Sequence, residues 1–215
     1  MKVAVISLPD RQAHELARVQ SLFAAGLQRF HLRKPGWSVS QIAAWLDALP
    51  ARWHGRVFLH AHHGLAAHLG VGGIHFPDST ASTETVMPRA GCASSRSCHD
   101  VGSVKAALGH HDAVFFGPVF PSLSKPGYGP ATNAELRDLG RLLLARPLRD
   151  KHTDVFAIGG VTVERLESCR AMGFDGAAIL GAVWGAADPV AAFCALSDSC
   201  RPRADIPSVS MEAPT

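Results

Sequence analysis

The sequence predicts an α/β protein built as a compact (β/α)8 barrel of the TIM type. Three observations carry the prediction. Short β-type apolar runs alternate with amphipathic helical stretches along nearly the whole chain. Several runs are apolar at consecutive positions, as in VFAI and AAIL, which suits strands buried on both faces. Eight βα units fit into about 200 residues, the small end of what closes into a barrel. A doubly wound open sheet is the alternative, but it usually has fewer units, and no GxGxxG follows the first run.

KVAVIS (2–7) reads as the first strand and AHELARVQSLFAAG (13–26) as a helix that stops at a glycine. LQRFHLR (27–33) is the second strand, followed by helix SVSQIAAWLDAL (38–49), capped by Ser38 or Ser40. GRVFLHA (55–61) is the third strand, with a short helix at GLAAHLG (64–70). GGIHF (72–76) is the fourth and GCASSR (91–96) a weaker fifth, with helix HDVGSVKAALG (99–109) after it. DAVFFG (112–117) is the sixth, followed by helix ATNAELRDLGRLLLA (131–145). TDVFAIGG (153–160) and helix VTVERLESCRAMG (161–173) form the seventh unit, and FDGAAILG (174–181) with helix PVAAFCALSD (189–198) the eighth.

The 215 residues are 47% hydrophobic, enough for one sizeable core and short for two. A single domain over 1–198 and a polar, proline-bearing tail over 199–215 are expected. The net charge is +3 without a long basic run, which argues against a nucleic-acid surface and suits a small anionic substrate. Five scattered cysteines without a CxxC pair read as free thiols, and MKVAVISLPD is too short for a signal peptide or spanning helix. A cytoplasmic protein is expected, and a symmetric homodimer is the default assembly. Among 12 histidines, His60, His62 and His63 lie together in LHAHHG. With no HExxH or Cys/His framework around them, they read as histidines at a strand end rather than a metal site.

A barrel places its chemistry in the loops after the strands. Behind strand 2, HLRKPGW offers His31, Arg33 and Lys34, a cationic group suited to phosphate or carboxylate. His60 ends strand 3. His75 and Asp78 follow in GGIHFPDS, where Asp78 is either a turn cap or a Mg2+ ligand. SSRSCH (94–99) brings Ser97 and His99; nothing local activates Cys98, which reads as a packed thiol. The segment GPVFPSLSKPGYG (117–129) sets Ser122, Ser124 and Lys125 at the end of strand 6, two hydroxyl donors and one ammonium. Glycines in AIGGV and ILGAVWG, among them Gly160 and Gly181, let backbone N–H groups approach an anion behind strands 7 and 8.

Taken in order, HLRKP, GGIHFPD, SxSCH, GPVFPSLSK, AIGGV and ILGAVW resemble the thiamine phosphate synthase and thiazole tautomerase superfamily, from about Val3 to about Trp184. The similarity is greater to the synthases. It implies a transferase that joins a hydroxymethylpyrimidine diphosphate to a thiazole phosphate with Mg2+, through departure of pyrophosphate and capture of a pyrimidine methyl cation. Arg33 matches the family arginine after strand 2, and Ser97 the serine after strand 5. Ser122, Ser124 and Lys125 match a Thr-x-Thr-Lys, and Asp78 one of two Mg2+ aspartates. The resemblance thus implies that Lys125 and Ser97 touch pyrophosphate. Ser122 and Ser124 touch the thiazole phosphate, with backbone at Gly160 and Gly181. His31, Lys34 and His60 complete the substrate-binding set. The family usually has Gln at His31, a lysine at Pro35 with Lys34 standing in one position earlier, and Asn-Asp at His60-Ala61, so the second Mg2+ carboxylate is missing. The alternatives are a thiazole tautomerase, whose strand 6 histidine is here Pro118, and a non-catalytic regulator that binds thiamine-pathway phosphates.

Overall fold

Eight parallel strands close into a barrel in chain order in the computed structural model, which describes residues 1–78, 91–121, 130–146 and 153–201. The strands are β1 (Lys2–Ile6), β2 (Phe30–Leu32), β3 (Val57–Leu59), β4 (Gly73–Phe76), β5 (Ala93–Cys98), β6 (Ala113–Phe116), β7 (Asp154–Ile158) and β8 (Gly176–Ile179). Closure comes from β1 against β8, with Val3 opposite Ala177 and Ala4 opposite Ala178. The helices are α1 (Glu15–Ala24), α2 (Val39–Asp47), α3 (Ala66–Leu69), α4 (Val101–Ala107), α5 (Asn133–Leu144), α6 (Leu166–Ala171), α7 (Gly181–Trp184) and α8 (Pro189–Cys200).

Helix starts follow the side chains that can accept the unpaired first-turn N–H groups. Ser38 caps α2, its hydroxyl accepting from Gln41 N while the Gln41 side chain accepts from Ser38 N. Thr132 and Glu135 form the same reciprocal box on α5. Asp188 caps α8, whose first residue is Pro189. Apolar faces of these helices pack on the outside of the barrel, where Phe23, Phe30, Leu46, Phe116, Leu139 and Phe193 are buried.

Four expectations are corrected. The fifth strand lies at Ala93–Cys98 rather than 91–96, so Ser97 belongs to the strand itself. Ser95 and Ser97 carry no apolar signal, because they face a polar barrel interior beside His75. The last helix runs to Cys200 rather than 198, and the Cys200 carbonyl accepts from the Met1 ammonium at 2.7 Å. The helices expected at 64–70 and 161–173 each begin with a 3-10 turn. The turn Ala51–Arg56 and the one-turn helix α7 were not foreseen, since neither is long enough to show a period. The tail beyond residue 201 lies outside the described residues.

The inner face of the barrel is divided. Ala4 and Ile6 of β1, Ala113 and Phe115 of β6, Phe156 of β7 and Ala178 of β8 form a separate apolar cluster. The opposite arc, from β2 to β5, carries His31, His75, Ser95 and Ser97. Two glycines let the large rings fit. A Cβ at Gly73 would lie 2.3 Å from the Phe58 ring, and one at Gly176 would lie 2.4 Å from the Phe156 ring.

Candidate active site

A cavity of about 640 Å³ opens where strands β2 to β7 end. Ile6, Phe115 and Ile158 line it from the apolar arc, and Trp37, Arg33, His60, His75, Asp78, Ser97 and His99 complete the lining. This is the face on which a barrel of this kind builds its chemistry.

Arg33 is held by its backbone. Its N–H donates to Ser7 Oγ at 2.8 Å, and Ser7 Oγ donates to the Arg33 carbonyl at 3.0 Å. The guanidinium is left exposed at the cavity, with no ion pair to a carboxylate among the described residues. A cation so placed is available to an anionic ligand. Ser97 Oγ lies 2.9 Å from His75 Nε2. Asp78 sits on the rim, its carboxylate 4.0 Å from His99 Nε2, and its carbonyl accepts from Arg96. Cys98 is fully buried and burial pushes its thiol up, which fits a packed thiol and not a nucleophile.

Two expected ligand-binding residues are reassigned. Lys34 lines the cavity, but its ammonium is turned to Glu15. Its ammonium donates to both oxygens of Glu15 at 2.7 Å and to the carbonyls of Leu8 and Asp10 at 2.9 Å. An ammonium has three protons, and these acceptors use them all. The pair is shut from water, so Lys34 ties the strand 2 loop to α1. Burial raises the Glu15 carboxyl, against the opposing pull of Lys34. His31 lies below the cavity, fully buried, 3.0 Å from His60 by Nδ1 to Nε2.

His60 and His75 do line the cavity, with rings stacked at 4.1 Å. Burial is the main cause that pushes both imidazoles down, His75 to about 3, with neighbouring cations adding to it. Burial likewise holds His31 well below its usual range. The three are therefore neutral at neutral pH.

Gly160 stands at the end of β7, where a Cβ would lie 2.5 Å from the Pro121 carbonyl, so this loop packs directly on the loop after β6. Gly181 opens α7 with open space around its Cα. Ser122, Ser124 and Lys125 lie outside the described residues. Sequence reading missed Trp37 and Phe115 as cavity walls. Trp37 carried a signal, directly behind the cationic HLRKP, whereas Phe115 looks like any other core residue of its run.

A closed parallel barrel with a cavity at the ends of its strands is the architecture of a (β/α)8 enzyme. The comparisons narrow this. The profile of the thiamine monophosphate synthase family matches residues 3–183, and the chain belongs to that family of transferases. A thiamine-phosphate synthase of Bordetella bronchiseptica is 33% identical over 196 residues, covering 87% of this chain and 89% of that protein. A putative thiamine-phosphate synthase of Geobacter sulfurreducens is 27% identical over 180 residues, covering 81% of each. Among solved structures, the thiamine phosphate pyrophosphorylase of Bacteroides thetaiotaomicron superposes with a TM-score of 0.75 at 27% identity, over 93% of this chain and 97% of that one. Among the described residues, no helix is long and apolar enough to cross a membrane.

Proposed function

We propose that this protein is a thiamine phosphate synthase, which couples hydroxymethylpyrimidine diphosphate to a thiazole phosphate and releases pyrophosphate. The observation that carries this reading is the mixed lining of the mouth. The exposed guanidinium of Arg33 and the hydroxyl of Ser97 line the same cavity as the rings of Trp37 and Phe115. A planar pyrimidine fits against the rings, while its diphosphate lies toward Arg33 and Ser97.

The chemistry this arrangement favours is dissociative. The C–O bond to the diphosphate breaks with its electron pair on pyrophosphate, and the thiazole nitrogen captures the pyrimidine methyl cation. Arg33, Ser97 and Lys125 neutralise the leaving group, and the walls hold the acceptor nitrogen close while excluding water. Bond formation needs no general base, and the buried His75 is a weak one. His75, with its proton affinity depressed to about 3, stays neutral at neutral pH.

Mg2+ takes oxygen donors and is content with one or two carboxylates plus phosphate oxygens and water. Asp78 supplies one carboxylate at the rim, and Ala61 supplies none. That set fits Mg2+, with Asp78 as its protein ligand. The ion would add positive charge beside the departing pyrophosphate.

The test is turnover by purified protein, given the pyrimidine diphosphate, the thiazole phosphate and a Mg2+ titration. Thiamine phosphate appearing with saturable Mg2+ dependence is the expected result. No product at any Mg2+ level from folded protein overturns the reading and moves it to proton transfer, for which His99 beside Asp78 is the available group.

A further inference from the structure

Three histidines of the barrel interior, His31 and His75 buried and His60 half-buried, lie close together. His31 on β2, His60 just past β3 and His75 on β4 each place one ring nitrogen within 4.8 Å of the others, the one trio of this kind among the described residues. His31 Nδ1 and His60 Nε2 are already 3.0 Å apart. Tetrahedral Zn2+ at 2.0–2.1 Å from each nitrogen needs edges of about 3.3 Å, close to the His31–His60 separation once the proton they share has left, and the His75 ring, now stacked on His60, has to swing its nitrogen inward by up to about 1.5 Å.

The surrounding hydrogen bonds set the chemistry of His75. Ser95 Oγ donates to the Ile74 carbonyl, so it accepts from His75 Nδ1–H at 2.8 Å. That places the proton on Nδ1 and leaves the lone pair on Nε2, toward Ser97 and the cavity. A ligating imidazole whose other nitrogen donates to an oxygen is the usual arrangement in metal sites. The trio is also not a closed hydrogen-bond network, since His31 Nε2 is buried with no partner. The rings are neutral, the form that binds metal.

The geometry points to a tris-imidazole site for a borderline divalent cation of the Zn2+ or Co2+ class on the floor of the cavity, its fourth position open to the mouth. Imidazole donors select such ions over Mg2+, so this site is separate from the oxygen site at Asp78. Arg29 and Arg33 oppose a bare dication there, which favours an anionic fourth ligand such as hydroxide or a phosphate oxygen. A metal on His75 Nε2 releases the Ser97 hydroxyl from that nitrogen. The inference stands on the histidines alone and does not rest on the synthase reading.

The test uses the full chain after chelator treatment, with Zn2+ or Co2+ as the probe and no substrate. One Zn2+ retained per chain, and the intense visible bands of tetrahedral Co2+, are expected. His60→Ala at the half-buried mouth abolishes those bands. Ser95→Ala keeps all three ligands and weakens Zn2+ by roughly 10- to 100-fold. His110→Ala, on an exposed loop, changes nothing. Folded protein that retains no Zn2+, a pale octahedral Co2+ spectrum, or binding indifferent to both His60→Ala and Ser95→Ala overturns the site, whatever the outcome of the turnover assay.

Discussion

Replacing Lys34 with methionine separates a structural cation from a ligand-binding one. The Lys34 side chain is 0% exposed and that of Glu15 is 4%. Methionine fills similar volume but leaves the Glu15 carboxylate buried with no counter-charge, and it strips the donor from the Leu8 and Asp10 carbonyls. Breaking a buried pair from one side costs about 3–5 kcal/mol. For a domain of this size that is a fall in Tm of roughly 6–20 °C. Lys34→Met with Glu15→Leu removes both charges and is expected to recover most of the loss, because the damage comes from the orphaned carboxylate. The assay is urea unfolding of the wild type, both single variants and the double, read as a mutant cycle. If Lys34→Met unfolds within about 0.5 kcal/mol of wild type while KM for the diphosphate substrate rises, Lys34 binds substrate and the reasoning fails.

Arg33→Ala is expected to leave stability within about 0.5 kcal/mol, because the guanidinium is exposed, and to lower kcat/KM roughly 10- to 100-fold through loss of a charge-assisted contact. An unchanged kcat/KM would remove Arg33 from the site. Lys125→Ala should cut turnover far more than stability; equal loss of both would sink its assignment. In metal-stripped protein, the barrel histidines should make stability fall with acid. Their proton affinity is lower folded than unfolded, so their contribution is complete above pH 6.5 and is lost as pH falls toward about 3 for His75. His75 alone costs about 1.4 kcal/mol per pH unit across that window, roughly 4–5 kcal/mol in all, and His31 and His60 act in the same direction. A Tm that stays flat from pH 7 to 4 would show these rings to be protonated in the folded state.

Much of the barrel was legible in advance, because a strand or helix announces itself through local periodicity. The run VFAI lies in β7 and AAI of AAIL in β8, and Ser38 ahead of QIAAWLD caps its helix. That Arg33, Asp78 and Ser97 line the cavity follows from their places at strand ends, while their roles there are proposals. Where the local signal was weak, at the polar strand β5 and the single turn α7, boundaries slipped.

The amino-acid pattern by itself determined the number and order of the βα units, and hence the face on which the loops gather. Backbone sterics and apolar spacing act over a few residues, and each unit carries its own copy of them. Which side chains meet was decided only by closure and register. Lys34 and Glu15 are 19 positions apart and look like a loop cation and a helix polar residue until α1 packs over the loop and shuts out water. His60, His62 and His63 adjoin in sequence yet diverge in space, with His62 bonded to the Trp37 carbonyl and His63 to that of His75. The curvature of the barrel instead turns His31, His60 and His75 from three neighbouring strands toward one point. That convergence depends on the pairing of β2, β3 and β4, a cooperative property that no single segment holds.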